Sequence, residues 1–477
     1  MSKTYRNYID GQWVEGNGKT IQVLNPATDK PIAEVPDGGA ADVDRAVAAA
    51  KKAQPAWEKL PAIQRANHMR QITAKIRANA ERLARTLVLE QGKVPELAAV
   101  EIEFAASYID YMAEWARRIE GEIVTSDRPG EQILVYRKPI GVVAGILPWN
   151  FPFFLIARKL GPALVTGNTI VIKPSEETPI NAFEFAELVA ETDLPPGVFN
   201  LVCGGRETGA KLTDNKDVGL VSFTGSGDTG SKIMQACGKH LTRVNLELGG
   251  KAPAIVLADC DVDLTANALF NSRVLNTGQA CNAAERVYVE RKVADALAEK
   301  VTKLMAGTKY GDPSLEKGLH MGPLVTKVGR DKMAAMVEAA KGQGAQVLTG
   351  GKIADKPGYH YEPTVLLGCN TGMDVMTKEV FGPVLPMQVV DDLDEALVHA
   401  NNSDYGLTSS IFTSNINQAM KAVRELRFGE TYINREHFEA MQGFHAGRRK
   451  SGIGGADGKH GLYEHMETHV VYMQTAG

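Results

Sequence analysis

Apolar residues in the first third of the chain recur at helical spacing. Met69, Ile72, Ile76, Leu83 and Leu87 fall three, four or seven positions apart. That spacing predicts one long helix from Ala62 to Lys93 with a single apolar face, closed at Gly92. A second helical stretch is expected over about 96–118. The run EIVTS-DRPG-EQILVYRKP then alternates on both sides of a Pro-Gly turn, which predicts a hairpin lying on another surface rather than inside a core.

From Gly141 the texture changes to short apolar runs separated by helical pieces. The runs are VVAGIL, TIVIK, VFNLV, GLVSF, VNLEL and PAIVL, with PINAFEFAELVAE, RETGAKLTD and GDTGSKIMQACGKH between them. Strand–helix alternation of this kind predicts a parallel sheet covered on both faces. It recurs over about 287–440, with helices near 292–307 and 329–344 and strands QVLTG, SSIFT and TYIN. The expected class is therefore α/β, two doubly wound parallel-sheet units plus a small β element. The final run THVVYMQ reads as a strand without a local partner, so it and the hairpin invite pairing across a subunit boundary. Gly141 to Ala157 carries no charge over 17 residues, but Pro148, Asn150 and Pro152 interrupt it. It reads as a buried strand, a loop and a helix start, not a membrane span.

Composition narrows the classes. A chain of 477 residues has room for two or three packed units, and 44% hydrophobic with 23% charged residues excludes wholesale disorder. A net charge of −4 offers no basic field for nucleic acid. Five cysteines (203, 237, 260, 281 and 369) without C-x-x-C spacing suggest neither a disulfide framework nor a metal site. With no signal-peptide pattern at the start, a reducing cytoplasm is expected. Glycine is in excess, 47 residues, and no repeat absorbs it. Local turns and close backbone approaches must use it.

Several motifs could carry chemistry. Gly225-Ser-Gly227-Asp-Thr-Gly230 follows a strand and opens a helix, with Glu247 about 20 residues on, the pattern of a dinucleotide fingerprint. A tight strand-to-helix turn needing small residues would look the same. Glu247 itself sits in ELGGK, suitable packaging for a carboxylate that reaches into a cleft, so its role stays open at this point. Cys281, in NTGQACNAAER, is placed on a tight turn at or just before a helix start, where the backbone dipole would favour a thiolate. A lone cysteine is more often inert core. Asn150, between the prolines of PWNFP, presents a fixed amide suited to an oxyanion hole. Lys173 and Glu176, at a strand end in IVIKPSEETP, can both reach ribose hydroxyls or simply form a solvated corner.

Taken in order, PWNFP, IKPSE, FTGS, ELGGK, GQAC and EVFGP resemble the NAD(P)-dependent aldehyde dehydrogenase superfamily over essentially the whole chain. The run GETYINREHFEAMQGFHAGRRKSGIGGADGKHGL looks most similar to the bacterial lactaldehyde (glycolaldehyde) dehydrogenases. The resemblance implies a Rossmann-like cofactor domain over 1–119 and 141–247 and a catalytic domain over 248–445. A bridging and oligomerisation element would take 120–140 and 446–477. It implies Cys281 as nucleophile, Glu247 as general base, and Asn150 with the Cys281 backbone N–H as oxyanion hole. Lys173 and Glu176 would hold the adenine ribose, Gly209 would border the adenine, and Gly225 with Ser226 would meet the pyrophosphate. Glu379 and Phe381 would fix the nicotinamide riboside, with Trp149 nearby. The family's loop does not demand Gly227, so Glu247 is not the ribose acid.

A base at Glu247 implies hydrolysis to a free acid, with its pKa ideally raised toward neutrality. Carboxylate repulsion of a 2′-phosphate at Glu176 makes NAD the expected cofactor, with NADP disfavoured. Arg158, Asn282, Glu439 and His445 would line a tunnel for a small 2-hydroxyaldehyde such as lactaldehyde or glycolaldehyde. Arg158 could instead be a surface arginine. Another small aldehyde or semialdehyde is the alternative substrate, and a cysteine-dependent hydrolase the alternative class. The expected assembly is a homotetramer, a dimer of dimers, with no nucleic-acid or membrane partner.

Overall fold

The computed structural model describes residues 4–16 and 18–475. Two largely parallel sheets form its frame. The first has eight strands, and its parallel centre runs in spatial order Arg243–Leu248, Leu220–Gly225, Val142–Ile146, Thr169–Lys173 and Phe199–Leu201. The chain therefore reverses direction across the sheet between Val142–Ile146 and Leu220–Gly225. The second has seven strands, six of them parallel, centred on Ala252–Val256 and Ala284–Glu290. Both central strand sets are buried on both faces, which is why they read as continuous apolar runs.

The uncharged run after Gly141 divides as expected. Val142–Ile146 is a buried strand, and Pro152–Thr166 is a helix buried along its whole length with Pro152 in its first turn. Among the described residues no helix is long and apolar enough to cross a membrane.

Three expectations change. The single helix over 62–93 is two, Ala62–Ala78 and Ala80–Gln91, because Asn79 leaves helical geometry and its side-chain amide donates to the Lys75 carbonyl at 2.9 Å. The apolar face survives the break, since Met69, Ile72, Ile76, Leu83 and Leu87 are all fully buried. The tail strand is not an orphan either. Met466–Gln474 pairs antiparallel along the full length of Glu131–Pro139, making a three-stranded sheet whose remaining edge is Glu122–Thr125. A partner so distant in sequence leaves no local signal. Finally, the glycine-rich segment near the C-terminus enters the first sheet. Gly452–Ile453 pairs antiparallel with Arg243–Leu248, Gly452 opposite Glu247, so segment 446–477 is shared between two sheets.

Candidate active site

Loops following Val142–Ile146 and Leu220–Gly225 part at the point where strand order reverses, leaving a crevice at the carboxyl ends of the strands. A cavity of about 330 Å³ occupies it, and Trp149, Asn150, Arg158, Gly225, Ser226, Glu247, Cys281, Asn282, Glu379, Phe381 and Glu439 all line it. All of the motifs but IKPSE, scattered over nearly 300 residues, thus converge on one space, whereas Lys173, Glu176, Gly209 and His445 are not among its lining residues.

Cys281 is half-buried on a turn after the short helical segment Leu275–Gly278, and the chain then enters strand Ala284–Glu290, not a helix. The expected support from a helix dipole is absent. What holds the turn is polar. Asn276 and Thr277 take left-handed backbone angles of φ 49° and 60°, which cost energy for residues with a Cβ. Gln91 donates to the Asn276 side chain at 3.0 Å, and Thr277 donates to the Gly322 carbonyl at 3.1 Å. Asn276 in turn donates to the Asn150 carbonyl at 2.9 Å, tying the cysteine turn to PWNFP. The Asn150 amide donates to the Gln279 carbonyl at 3.1 Å, leaving its second N–H available.

Glu247 is buried and points at Lys159, 3.3 Å away, with Arg158 at 3.8 Å and the Thr224 hydroxyl donating at 3.0 Å. Burial pushes this carboxyl up, but Lys159, Arg158 and His445 overcome it and hold the group at about 2. The expectation of a pKa raised toward neutrality is therefore corrected: three neighbouring cations keep Glu247 ionised. Gly249 and Gly250 come soon after it, and at Gly250 the backbone leaves no room for a side chain. A Cβ on Gly250 would lie 2.7 Å from the Cys281 carbonyl oxygen, and one on Gly249 would collide with the Glu379 carboxylate.

Arg158 is no surface residue. It is buried and donates to Asp457 at 2.7 and 3.1 Å and to Glu439 at 2.9 Å. Glu439 also accepts from the Asn282 amide. His445 lies against the sulfur, its Nε2 4.0 Å from Cys281 Sγ.

Ser226 caps helix Gly227–Gly238 by accepting from the Thr229 N–H. Lys173 and Glu176 are 3.3 Å apart at the end of Thr169–Lys173, and Gly209, inside helix Arg206–Thr213, abuts the Lys173 stem. Trp149 and Phe381 meet edge-on, ring centroids 5.5 Å apart, with Phe381 at φ 53°. Burial and the nearby Glu285 push the Glu379 carboxyl up to about 7, and one of its oxygens accepts from the Gly250 N–H at 2.8 Å.

The positions that sequence reasoning missed are mostly buried supports. Lys93 donates to the Asn150 carbonyl at 2.9 Å and pairs with Glu101, which accepts the N–H groups of Phe153 and Phe154 at 2.9 and 3.1 Å. Glu285 pairs with Lys251 and Arg273 at 2.7 and 3.1 Å and accepts the N–H groups of Val380 and Phe381 at 3.0 and 3.1 Å. Lys159 was hidden by its place beside Arg158, since a helix buried all round turns adjacent residues inward. The one available signal was Asp457, a lone carboxylate inside GIGGADGKHG.

The aldehyde dehydrogenase family model matches residues 13–471. The chain belongs to the aldehyde dehydrogenase family. It is 55% identical over 470 residues to lactaldehyde dehydrogenase of Escherichia coli, covering 98% of each chain. It is 42% identical over 477 residues to 3,6-anhydro-alpha-L-galactose dehydrogenase of a Vibrio species, covering 99% of each. The crystal structure of Escherichia coli lactaldehyde dehydrogenase matches it with a TM-score of 0.98, at 55% identity over 100% of both chains. This aldehyde dehydrogenase is thus an oxidoreductase that converts an aldehyde to the acid, in a family that uses NAD or NADP.

The support at Glu285 is directly testable. Glu285→Ala would leave Lys251 and Arg273 as buried cations without their carboxylate, which typically costs about 3–5 kcal/mol. Its urea-unfolding midpoint should fall accordingly; a midpoint like that of the wild type would refute the assignment.

Proposed function

We propose that this aldehyde dehydrogenase oxidises a small 2-hydroxyaldehyde, such as lactaldehyde or glycolaldehyde, to the free acid with NAD. The observation that carries the reading is the charge balance at the inner end of the cavity. Arg158, Lys159 and His445 face Glu247, Glu439, Asp457 and Glu430, so the cations already have carboxylate partners. A substrate bringing a carboxylate of its own, as a semialdehyde does, would add an unpaired buried charge. A neutral hydroxyl needs only hydrogen bonds, and Arg158, Asn282 and Glu439 line the space where one would sit. The similarity to lactaldehyde dehydrogenase supports the same substrate class.

In this mechanism the Cys281 thiolate attacks the aldehyde carbon, forming the S–C bond as the carbonyl π pair moves to oxygen. The Asn150 amide and the Cys281 backbone N–H hold that oxyanion. When bound, nicotinamide would supply the two-electron acceptor for the hydride that leaves the adduct carbon as the oxyanion collapses to a thioester. Glu247 then takes a proton from water, water oxygen bonds to the thioester carbon, and collapse expels the Cys281 thiolate.

The residues present fit a dinucleotide. Glu379 is a part-buried carboxyl on the cavity wall with one oxygen free for ribose hydroxyls, Trp149 and Phe381 offer an aromatic wall, and Ser226 opens a helix toward the crevice. Lys173, already paired with Glu176, supports NAD, since a 2′-phosphate would meet the Glu176 carboxylate. On this reading 1–119 and 141–247 form the cofactor domain, 248–445 the catalytic domain, and the three-stranded sheet the bridge between subunits of a cytoplasmic homotetramer. The exposed Ile123 and Tyr472 on that sheet support an interface there.

An aldehyde panel followed at NADH absorbance tests the assignment. Lactaldehyde and glycolaldehyde should exceed hexanal, benzaldehyde and succinic semialdehyde in kcat/KM by at least about tenfold, with NAD preferred to NADP. The reverse order would overturn it. Glu247→Gln should keep a fast first burst of NADH while steady turnover slows by about 10²-fold or more; an unchanged steady rate would remove Glu247 as base. Lys159→Met takes away a cation that favours the Glu247 carboxylate, so Glu247 would protonate at higher pH. The acid limb of steady turnover should then move upward in pH, because the active base is lost as pH falls through the new value. An unmoved limb would uncouple Lys159 from the base.

A further inference from the structure

The strand Glu430–Ile433 contributes a carboxylate to which none of the steps above gives a task. Glu430 Oε1 lies 2.5 Å from His445 Nδ1, and the opposite ring nitrogen, Nε2, lies 4.0 Å from Cys281 Sγ. The three groups form a line: carboxylate, imidazole, sulfur. Its geometry is fixed at each member. The Tyr432 hydroxyl donates to the second oxygen of Glu430. His445 is anchored through its backbone by reciprocal hydrogen bonds with Ala456, at 2.9 and 2.8 Å, and its side chain is 1% exposed. The strand carrying Glu430 pairs in register with Thr408–Phe412, and the Thr408 hydroxyl donates to the Asn282 carbonyl at 2.9 Å, one residue from the cysteine.

We propose that Glu430 and His445 form an activating pair for Cys281. Glu430 accepts from Nδ1–H, and His445 presents Nε2–H to the sulfur, stabilising the thiolate both as nucleophile and as leaving group. This rests on Cys281 being the nucleophile of the proposed mechanism. His445 then touches the reacting atom and is catalytic, whereas Glu430 acts through it and is a positioning residue. Proton bookkeeping is simple: the cysteine proton leaves to solvent, and the imidazole keeps both of its own throughout.

The surroundings support a charged imidazole. Burial opposes the charge on His445, but Glu430 and Glu439 outweigh burial and raise its pKa well above the usual histidine range. Glu247 on strand Arg243–Leu248 and Asp457 in the glycine-rich segment also interact with His445. Arg158 is the opposing cation on helix Pro152–Thr166, neutralised by its own pairs with Asp457 and Glu439. A thiolate beside such an imidazolium is favoured, which no helix dipole supplies at this turn.

The test follows iodoacetamide alkylation of Cys281 against pH in the enzyme without cofactor, read peptide by peptide by mass spectrometry. Compared are the wild type, Glu430→Gln, Glu430→Asp and His445→Gln. Both Gln variants should move the midpoint of alkylation to higher pH by about one unit or more, slowing labelling at pH 7 by about tenfold. Glu430→Asp should restore part of the shift. Cys203, fully buried, should stay unlabelled in every variant that remains folded, and His445→Gln gives the same readout should Glu430→Gln unfold. Wild-type alkylation curves in the folded variants would overturn the pair while leaving Cys281 as nucleophile. Aldehyde oxidation surviving in Cys281→Ser would instead remove the reading on which the pair rests.

Discussion

Charge taken out of water must find charge, and the site is organised by that requirement. Glu247, Arg158, Lys159, Asp457 and Glu439 are joined in one chain of ion pairs running from strand Arg243–Leu248 through helix Pro152–Thr166 to the C-terminal segment, and the separate pair His445–Glu430 adds its charge to theirs through space. Each member is held because its neighbour cannot be left unpaired. The result is a polar wall in a cavity that Leu97, Val100, Phe104 and Phe438 also line with apolar surface.

The same device recurs at each loop that reaches the cavity. Glu101 with Lys93 pins PWNFP by taking two backbone N–H groups at the start of the helix that follows. Glu285 with Lys251 and Arg273 pins EVFGP by taking two more. Asp457 with Arg158 brings the glycine-rich segment against the helix Pro152–Thr166. In all three a carboxylate satisfies backbone donors or a guanidinium that would otherwise be orphaned in the interior, and an adjacent cation stabilises that carboxylate in turn. Loops are ordinarily the mobile part of a fold, and here buried ion pairs tie them to the elements around the cavity.

Glycine usage follows from the crowding that results. Gly250 stands where the Cys281 carbonyl presses against the backbone, so the chain after Glu247 can pass beside Cys281 only without a side chain there, and Gly249 leaves room for the Glu379 carboxylate. The excess noted in the composition is in part the geometric cost of bringing several chain segments to one small cavity.

Local pattern alone determined the class of the fold, the division of the uncharged run after Gly141, the hairpin, and the motifs that meet at the crevice. Those features are written in periods of two and 3.6 residues and in turn residues, which depend on near neighbours. The break at Asn79 and the partner of the tail strand escaped, since one is a single side chain competing for a carbonyl and the other lies more than 300 positions away. The ionised state of Glu247, the pairing of Arg158, the absence of a helix at Cys281 and the line from Glu430 to the sulfur were decided only in three dimensions. Electrostatics depends on distance in space and on burial, and neither is recorded in the order of residues.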